Sequence, residues 1–116
     1  MEERKAMKIL WLSRHQPLHS QIAELKRLFG SDTQVVRDAQ PFRSAEEIKQ
    51  RYQQGEYDDL VVVAPLSVMA KLVDLGVKPL WAEMDLVQAA EAEVTANGRG
   101  YRFNRFRRVK ALRDCQ

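Results

Sequence analysis

Ser13-Arg14-His15 sets a hydroxyl, a permanent cation and an imidazole on three consecutive residues. A guanidinium can hold a phosphate through two parallel N–H donors. An imidazole changes charge near neutral pH and can serve as acid or base. The triplet follows the apolar run Lys8-Ile9-Leu10-Trp11-Leu12 and precedes Pro17-Leu18-His19-Ser20-Gln21-Ile22, where an amphipathic pattern opens. That is a strand end running into a helix start, the place where open α/β sheets bind ligands. A second junction of the same kind joins Leu60-Val61-Val62-Val63-Ala64 to Pro65-Leu66-Ser67. If the two strands are neighbours, both helix N-termini face one crevice, and their free N–H groups favour a phosphate or carboxylate there. Ser13, Arg14, His15, Ser20 and Gln21 then line one wall, and Pro65, Leu66 and Ser67 the other. Each has a plainer reading. Ser13 can end the strand, Arg14 can pair with a surface acid, Ser20 can be an early helix residue and Ser67 an N-cap. Glu83 and Asp85 are weaker candidates, since most such acids face solvent.

Several other chemistries are excluded. The chain has five glycines, none of them between the first strand and its helix, so a glycine-rich phosphate loop is absent. No Gly-x-Ser-x-Gly elbow occurs. His15 and His19 stand at i and i+4, but Pro17 between them breaks a shared helix and no third ligand is near, so neither metal nor cofactor is expected. The single cysteine, Cys115, allows no disulfide framework within the chain. The charged start Met1-Glu2-Glu3-Arg4-Lys5 and the shortness of every apolar run argue against a leader or a membrane span. The expectation is a cytoplasmic protein without membrane contact.

The elements that must position the triplet follow from periodicity. At 116 residues with 45% hydrophobic side chains, the chain is expected to form one domain spanning 1–116. Residues 7–13 read as a buried strand. Residues 17–29 read as a helix, with Leu18, Ile22, Leu25, Leu28 and Phe29 on one face and Gly30 just past its end. Thr33 to Arg37 is a second strand and Asp38 to Arg43 a polar loop. Ser44 with Glu47 fits a capping box opening a helix to about Gln53. The run at 60–64 is a central strand, and 66 onward a helix ending before Gly76. Lys78 to Leu86 alternates as an edge or half-exposed strand does. The order implies an α/β fold, a mostly parallel sheet with right-handed crossovers, over a core at 7–87. Residues 91–113 read as a C-terminal antiparallel hairpin turning at Asn97-Gly98. Tyr101 and Phe103 are out of phase with Phe106, so a bulge is expected near Asn104-Arg105.

The net charge of +3 is concentrated in that hairpin. Arg99, Arg102, Arg105, Arg107, Arg108, Lys110 and Arg113 occur with no acid between them. Such a segment suits an anionic partner, nucleic acid through Arg105, Arg107 and Arg108 included, or a charged strand that resists aggregation.

Leu12-Ser13-Arg14-His15-Gln16-Pro17-Leu18, with Gln21, Glu24 and Leu28 after it, resembles the opening of the small CRISPR-associated ring nucleases, short relatives of the CARF domain. Some members end the first strand in a Thr/Ser-Arg-His triplet, others in a His-Pro-Leu turn. Here Gln16 separates His15 from Pro17-Leu18, so the chain stands between the two patterns. Ala64-Pro65-Leu66-Ser67-Val68-Met69-Ala70, Gly76 and the strand from Pro79 to Leu86 are similar to the second half of that group, so the resemblance covers about residues 7–87. The hairpin matches nothing in it. The resemblance implies a Rossmann-like fold and binding of cyclic oligoadenylate, the messenger of type III CRISPR antiviral defence. It also implies metal-independent cleavage, in which a ribose 2′-hydroxyl attacks the adjacent phosphorus and leaves a cyclic phosphate. Arg14 and His15 are the implied catalytic residues. The rotational symmetry of the ring implies a two-fold homodimer. The alternative is a non-enzymatic nucleic-acid-binding or regulatory module using the hairpin.

Overall fold

The computed structural model describes residues 6–110, and two unbroken apolar runs form the centre of its sheet. The chain passes through β1 (Lys8–Leu12), α1 (His19–Phe29), β2 (Gln34–Asp38), α2 (Ala45–Gln54), β3 (Asp59–Val62), α3 (Leu66–Asp74), β4 (Leu80–Val87), a short 3-10 turn (Ala89–Glu91), β5 (Val94–Ala96) and β6 (Arg99–Arg108). Cys115, Arg113 and the expected end of the return strand lie outside the described residues.

The strand order is β2-β1-β3-β4-β6-β5. The first four strands are parallel, while β6 runs antiparallel to β4 and β5 antiparallel to β6. This is a mixed α/β domain with a mostly parallel sheet and a C-terminal antiparallel hairpin. After β1 the chain moves outward to β2, and after β3 it moves the other way to β4. The two central neighbours therefore send their connections in opposite directions.

Side-chain alternation sorts the helices onto the two faces. Ile9, Trp11, Val61 and Leu80 point to one face, where Leu25 and Phe29 of α1 cover them. Leu10, Leu12, Leu60 and Val62 point to the other, against Ala45 and Ile48 of α2 and Met69 and Leu72 of α3. Burial on both sides is why β1 and β3 show no polar alternation. Burying each of Leu25, Ile48 and Leu72 contributes about 1.5–3 kcal/mol. That is enough to anchor α2, whose other positions are mostly polar.

The helix starts differ in detail from expectation. α1 begins at His19 rather than Pro17. Its N-cap, Leu18, has no polar side chain, and Gln21 compensates by accepting the Leu18 N–H at 2.8 Å. Ser44 caps α2 by accepting from Glu47 N at 3.2 Å, but the Glu47 carboxylate takes Arg43 N instead of closing the reciprocal box. α3 is preceded by Pro65, so Ser67 lies inside the first turn and caps nothing.

β4 pairs with β3 only through Leu80 opposite Val61, and from Trp81 to Val87 it pairs with β6 alone. It is an inner strand that has lost one neighbour, which accounts for its half-exposed alternation. The expected bulge is present. Glu83 faces Arg105 and Met84 faces Phe103, which leaves Asn104 unpaired. Skipping Asn104 puts Phe103 and Phe106 on one face, with ring centroids 4.8 Å apart. Asn97 (φ 54°) and Gly98 (φ 76°) make the tight turn between β5 and β6.

The far end of β6 is tied to the parallel sheet by Arg108. Its guanidinium donates to both carboxylate oxygens of Asp59 at 2.7 Å and to the Lys78 carbonyl at 2.8 Å. Asp59 is buried, so removing Arg108 strands its charge, and removing Asp59 leaves the partly buried Arg108 guanidinium without its carboxylate. Asp59→Ala is expected to lower stability by roughly 2 kcal/mol, read as a lower urea midpoint. An unchanged midpoint would show that the pair does not hold the hairpin down.

Candidate functional site

Ser13-Arg14-His15 leaves β1 as a tight, well-held loop. The Ser13 hydroxyl oxygen accepts the His15 N–H at 3.1 Å. The His15 carbonyl accepts the indole N–H of Trp11 at 3.0 Å. The Arg14 carbonyl accepts from the Arg37 guanidinium of neighbouring β2. Three donors thus fix the backbone, while the side chains of Arg14 and His15 stand exposed. Among the described residues, no carboxylate lies within ion-pair distance of the Arg14 guanidinium.

The Trp11 contact carries this loop back into the core. Trp11 is 3% exposed. Its ring meets Phe106 edge-on at 6.3 Å, and Phe106 meets Phe103. The bulge in β6 sets Phe103 on the same face as Phe106, which packs against Trp11.

Facing the triplet is the loop after β2. Ser13, Arg14 and His15 line a cavity of about 350 Å³ with Leu12, Val63 and the run Asp38-Ala39-Gln40-Pro41-Phe42. Arg51 of α2 organises that run. It donates to the Gln40 carbonyl at 2.9 Å and the Pro41 carbonyl at 2.6 Å, and it pairs with Asp38 at 3.4 Å and Glu47 at 3.0 Å. The other Asp38 oxygen accepts Gln40 N at 3.0 Å. Glu47 also holds Arg43 N at 2.9 Å. Both loops are thus shaped before any ligand arrives, which lowers the ordering cost of binding.

The eight expected site residues do not converge in one crevice. Ser13, Arg14 and His15 share the cavity just described. Pro65 and Leu66 line a different one of about 390 Å³ with Ala64, Met69, Trp81 and Val109. Val63, which lines the first cavity, precedes this turn in the chain. Ser67 is exposed on α3. Ser20 and Gln21 belong to α1, on the sheet face opposite Leu12. The Ser20 hydroxyl donates to Glu93 at 2.5 Å. Gln21 is 5% exposed, with its oxygen on Leu18 N and its nitrogen 3.6 Å from the Met84 sulfur. Ser20 thus ties α1 to the hairpin, and Gln21 ties it to its own N-terminus and to β4. The reason is geometric. α1 and α3 start on opposite faces, so their first turns do not close on one ligand-sized space.

Sequence reasoning did not place Asp38 to Phe42 opposite the triplet, where they line the same cavity. The one signal in this run was an aromatic residue, Phe42, in an otherwise polar loop just past a strand. Arg51, 13 residues beyond Asp38, gave no signal at all.

The hairpin arginines are largely engaged within the chain. Arg105 and Arg107 share Glu83 at 3.3 and 2.5 Å, and Arg108 is held by Asp59. Among the described residues, no three His, Cys, Asp or Glu side chains group as a metal ion requires, and no helix is long and apolar enough to cross a membrane. No protein-family model, curated protein or solved structure matches the chain.

Arg51→Ala removes the donors that hold Gln40 and Pro41. Backbone amide exchange across residues 39–43 is expected to accelerate at least tenfold, with roughly 1–3 kcal/mol lost from global stability. Protection equal to wild type at these amides would mean that the loop is held by packing alone.

Proposed function

We propose that the protein binds cyclic oligoadenylate at the cavity between the β1–α1 and β2–α2 loops and cleaves it. The observation that carries the reading is the exposed Arg14, paired with no acid among the described residues, on a backbone fixed by three hydrogen bonds. A cation kept free at a strand's carboxyl end, beside an imidazole, suits a phosphodiester. The strand order β2-β1-β3-β4, with helices on both faces, supports a Rossmann-like, CARF-like assignment of the fold. The reading makes this a cytoplasmic protein of type III CRISPR defence.

In the proposed reaction a ribose 2′-oxygen attacks the adjacent phosphorus. The new O2′–P bond forms as the P–O5′ bond breaks. The 2′-proton leaves, the departing 5′-oxygen gains a proton, and the linear product ends in a 2′,3′-cyclic phosphate. Neither water nor an external nucleophile is consumed. Arg14 neutralises charge that builds on the phosphoryl oxygens, and His15 moves one of the two protons. At about 350 Å³ the cavity lies near the lower end of small-molecule pockets, about 300–1,000 Å³. It suits one nucleotide of a ring, so a two-fold homodimer would offer the ring two such cavities.

Nucleic-acid binding through Arg105, Arg107 and Arg108 has weaker support, because it would compete with the pairs to Glu83 and Asp59.

Purified protein incubated with cyclic tetra-adenylate and cyclic hexa-adenylate in excess chelator tests the reading. At least one ring is expected to raise the melting temperature and to yield a linear product ending in a cyclic phosphate. Arg14→Ala and His15→Ala should each slow cleavage about a hundredfold or more. No thermal shift and no cleavage with either ring would refute it.

A further inference from the structure

We infer that Phe42 is a base platform, so that the cavity recognises a nucleobase as well as a phosphate. The inference rests on the functional reading above and adds a specificity determinant to it. Phe42 is half-buried, packing against the core on the α2/α3 face while also lining the cavity. Phe42 therefore belongs both to the core packing and to the cavity wall. The preceding residue is fixed by the 2.6 Å hydrogen bond from Arg51 to the Pro41 carbonyl. A ring backed and tethered in this way loses little freedom when a base stacks on it.

The rest of the lining points the same way. Leu12, Pro41, Phe42 and Val63 supply apolar lining, Arg14 and His15 stand on the opposite loop, and the Asp38 carboxylate in the same lining is paired with Arg51. A bare phosphate gains nothing from an apolar wall and is penalised by desolvation against it. A nucleotide carries an apolar, planar base and a charged phosphate in one molecule, and so matches both kinds of side chain. Stacking of one base on an aromatic side chain is worth roughly 5- to 150-fold in affinity. The plainer alternative is that Phe42 only plugs the core. Leucine at position 42 separates the two roles, because it keeps most of the apolar packing and loses the flat face.

Calorimetric titration with adenosine monophosphate, ribose 5-phosphate and inorganic phosphate tests the inference. Wild-type protein is expected to bind adenosine monophosphate at least tenfold more tightly than ribose 5-phosphate. Phe42→Leu should reduce that preference to near unity while leaving binding of ribose 5-phosphate unchanged. Phe42→Trp should keep or enlarge the preference, and it serves as the control for a folding defect in the leucine variant. Arg14→Ala should weaken all three probes alike. A Phe42→Leu protein that retains the full base preference overturns the platform and leaves the phosphate-binding reading standing. A wild-type protein that binds none of the probes and neither cyclic ring overturns both.

Discussion

The indole N–H of Trp11 is a donor rooted in the sheet interior, and it must have an acceptor there. That acceptor is the carbonyl of His15, four residues further on. The requirement bends the chain back sharply after β1 and decides which way Arg14 and His15 face. It also ties distant parts of the molecule together. Trp11 sits under α1, beside Val61 of the next strand and edge-on to Phe106 of the hairpin.

Around this contact the molecule divides its polar groups by task. Polar side chains that hold the architecture have their hydrogen bonds made. Gln21 caps α1, Arg51 shapes the β2–α2 loop, and Arg108 joins the hairpin to Asp59. Side chains of the triplet are treated differently. Three of their backbone groups are held by hydrogen bonds, while the side chains of Arg14 and His15 are exposed at the cavity. The fixed backbone lowers the ordering cost of binding, and Arg14, unpaired among the described residues, can turn to a ligand without breaking an ion pair first. Leu12, Val63 and Phe42 add apolar lining to a cavity that Asp38 and Gln40 also border.

Much of the scaffold was legible because it depends on local patterns. Unbroken apolar runs marked β1 and β3, and both are buried on two faces. The conflict of phase between Phe103 and Phe106 gave the bulge, since only one inserted residue can put both rings on one face. Asn97-Gly98 gave the turn, because both positions need positive φ. The position of the triplet at a strand's carboxyl end was equally readable. The other wall was not. Pro65-Leu66-Ser67 looked equivalent to the first junction, yet α1 and α3 cover opposite faces and the second junction opens its own apolar cavity, with Leu66 69% exposed. Asp38 to Phe42 read only as a polar loop, since its shape is imposed by an arginine on the following helix. Ser20 and Gln21 showed the residue types of a binding site, but their partners, Glu93 before β5 and Met84 of β4, lie more than 60 residues away in the chain. Contacts across such separations leave no periodic trace.

The central claim is that ligand sits between the loops following β1 and β2. Amide chemical-shift mapping of isotope-labelled protein titrated with cyclic tetra-adenylate and cyclic hexa-adenylate tests it most directly. The expected result is perturbation concentrated at Ser13, Arg14, His15 and at Asp38, Ala39, Gln40 and Phe42, with little change at Leu66, Ser67 and Trp81. Perturbation centred on Leu66, Ser67 and Trp81, or none with either ring, would contradict it.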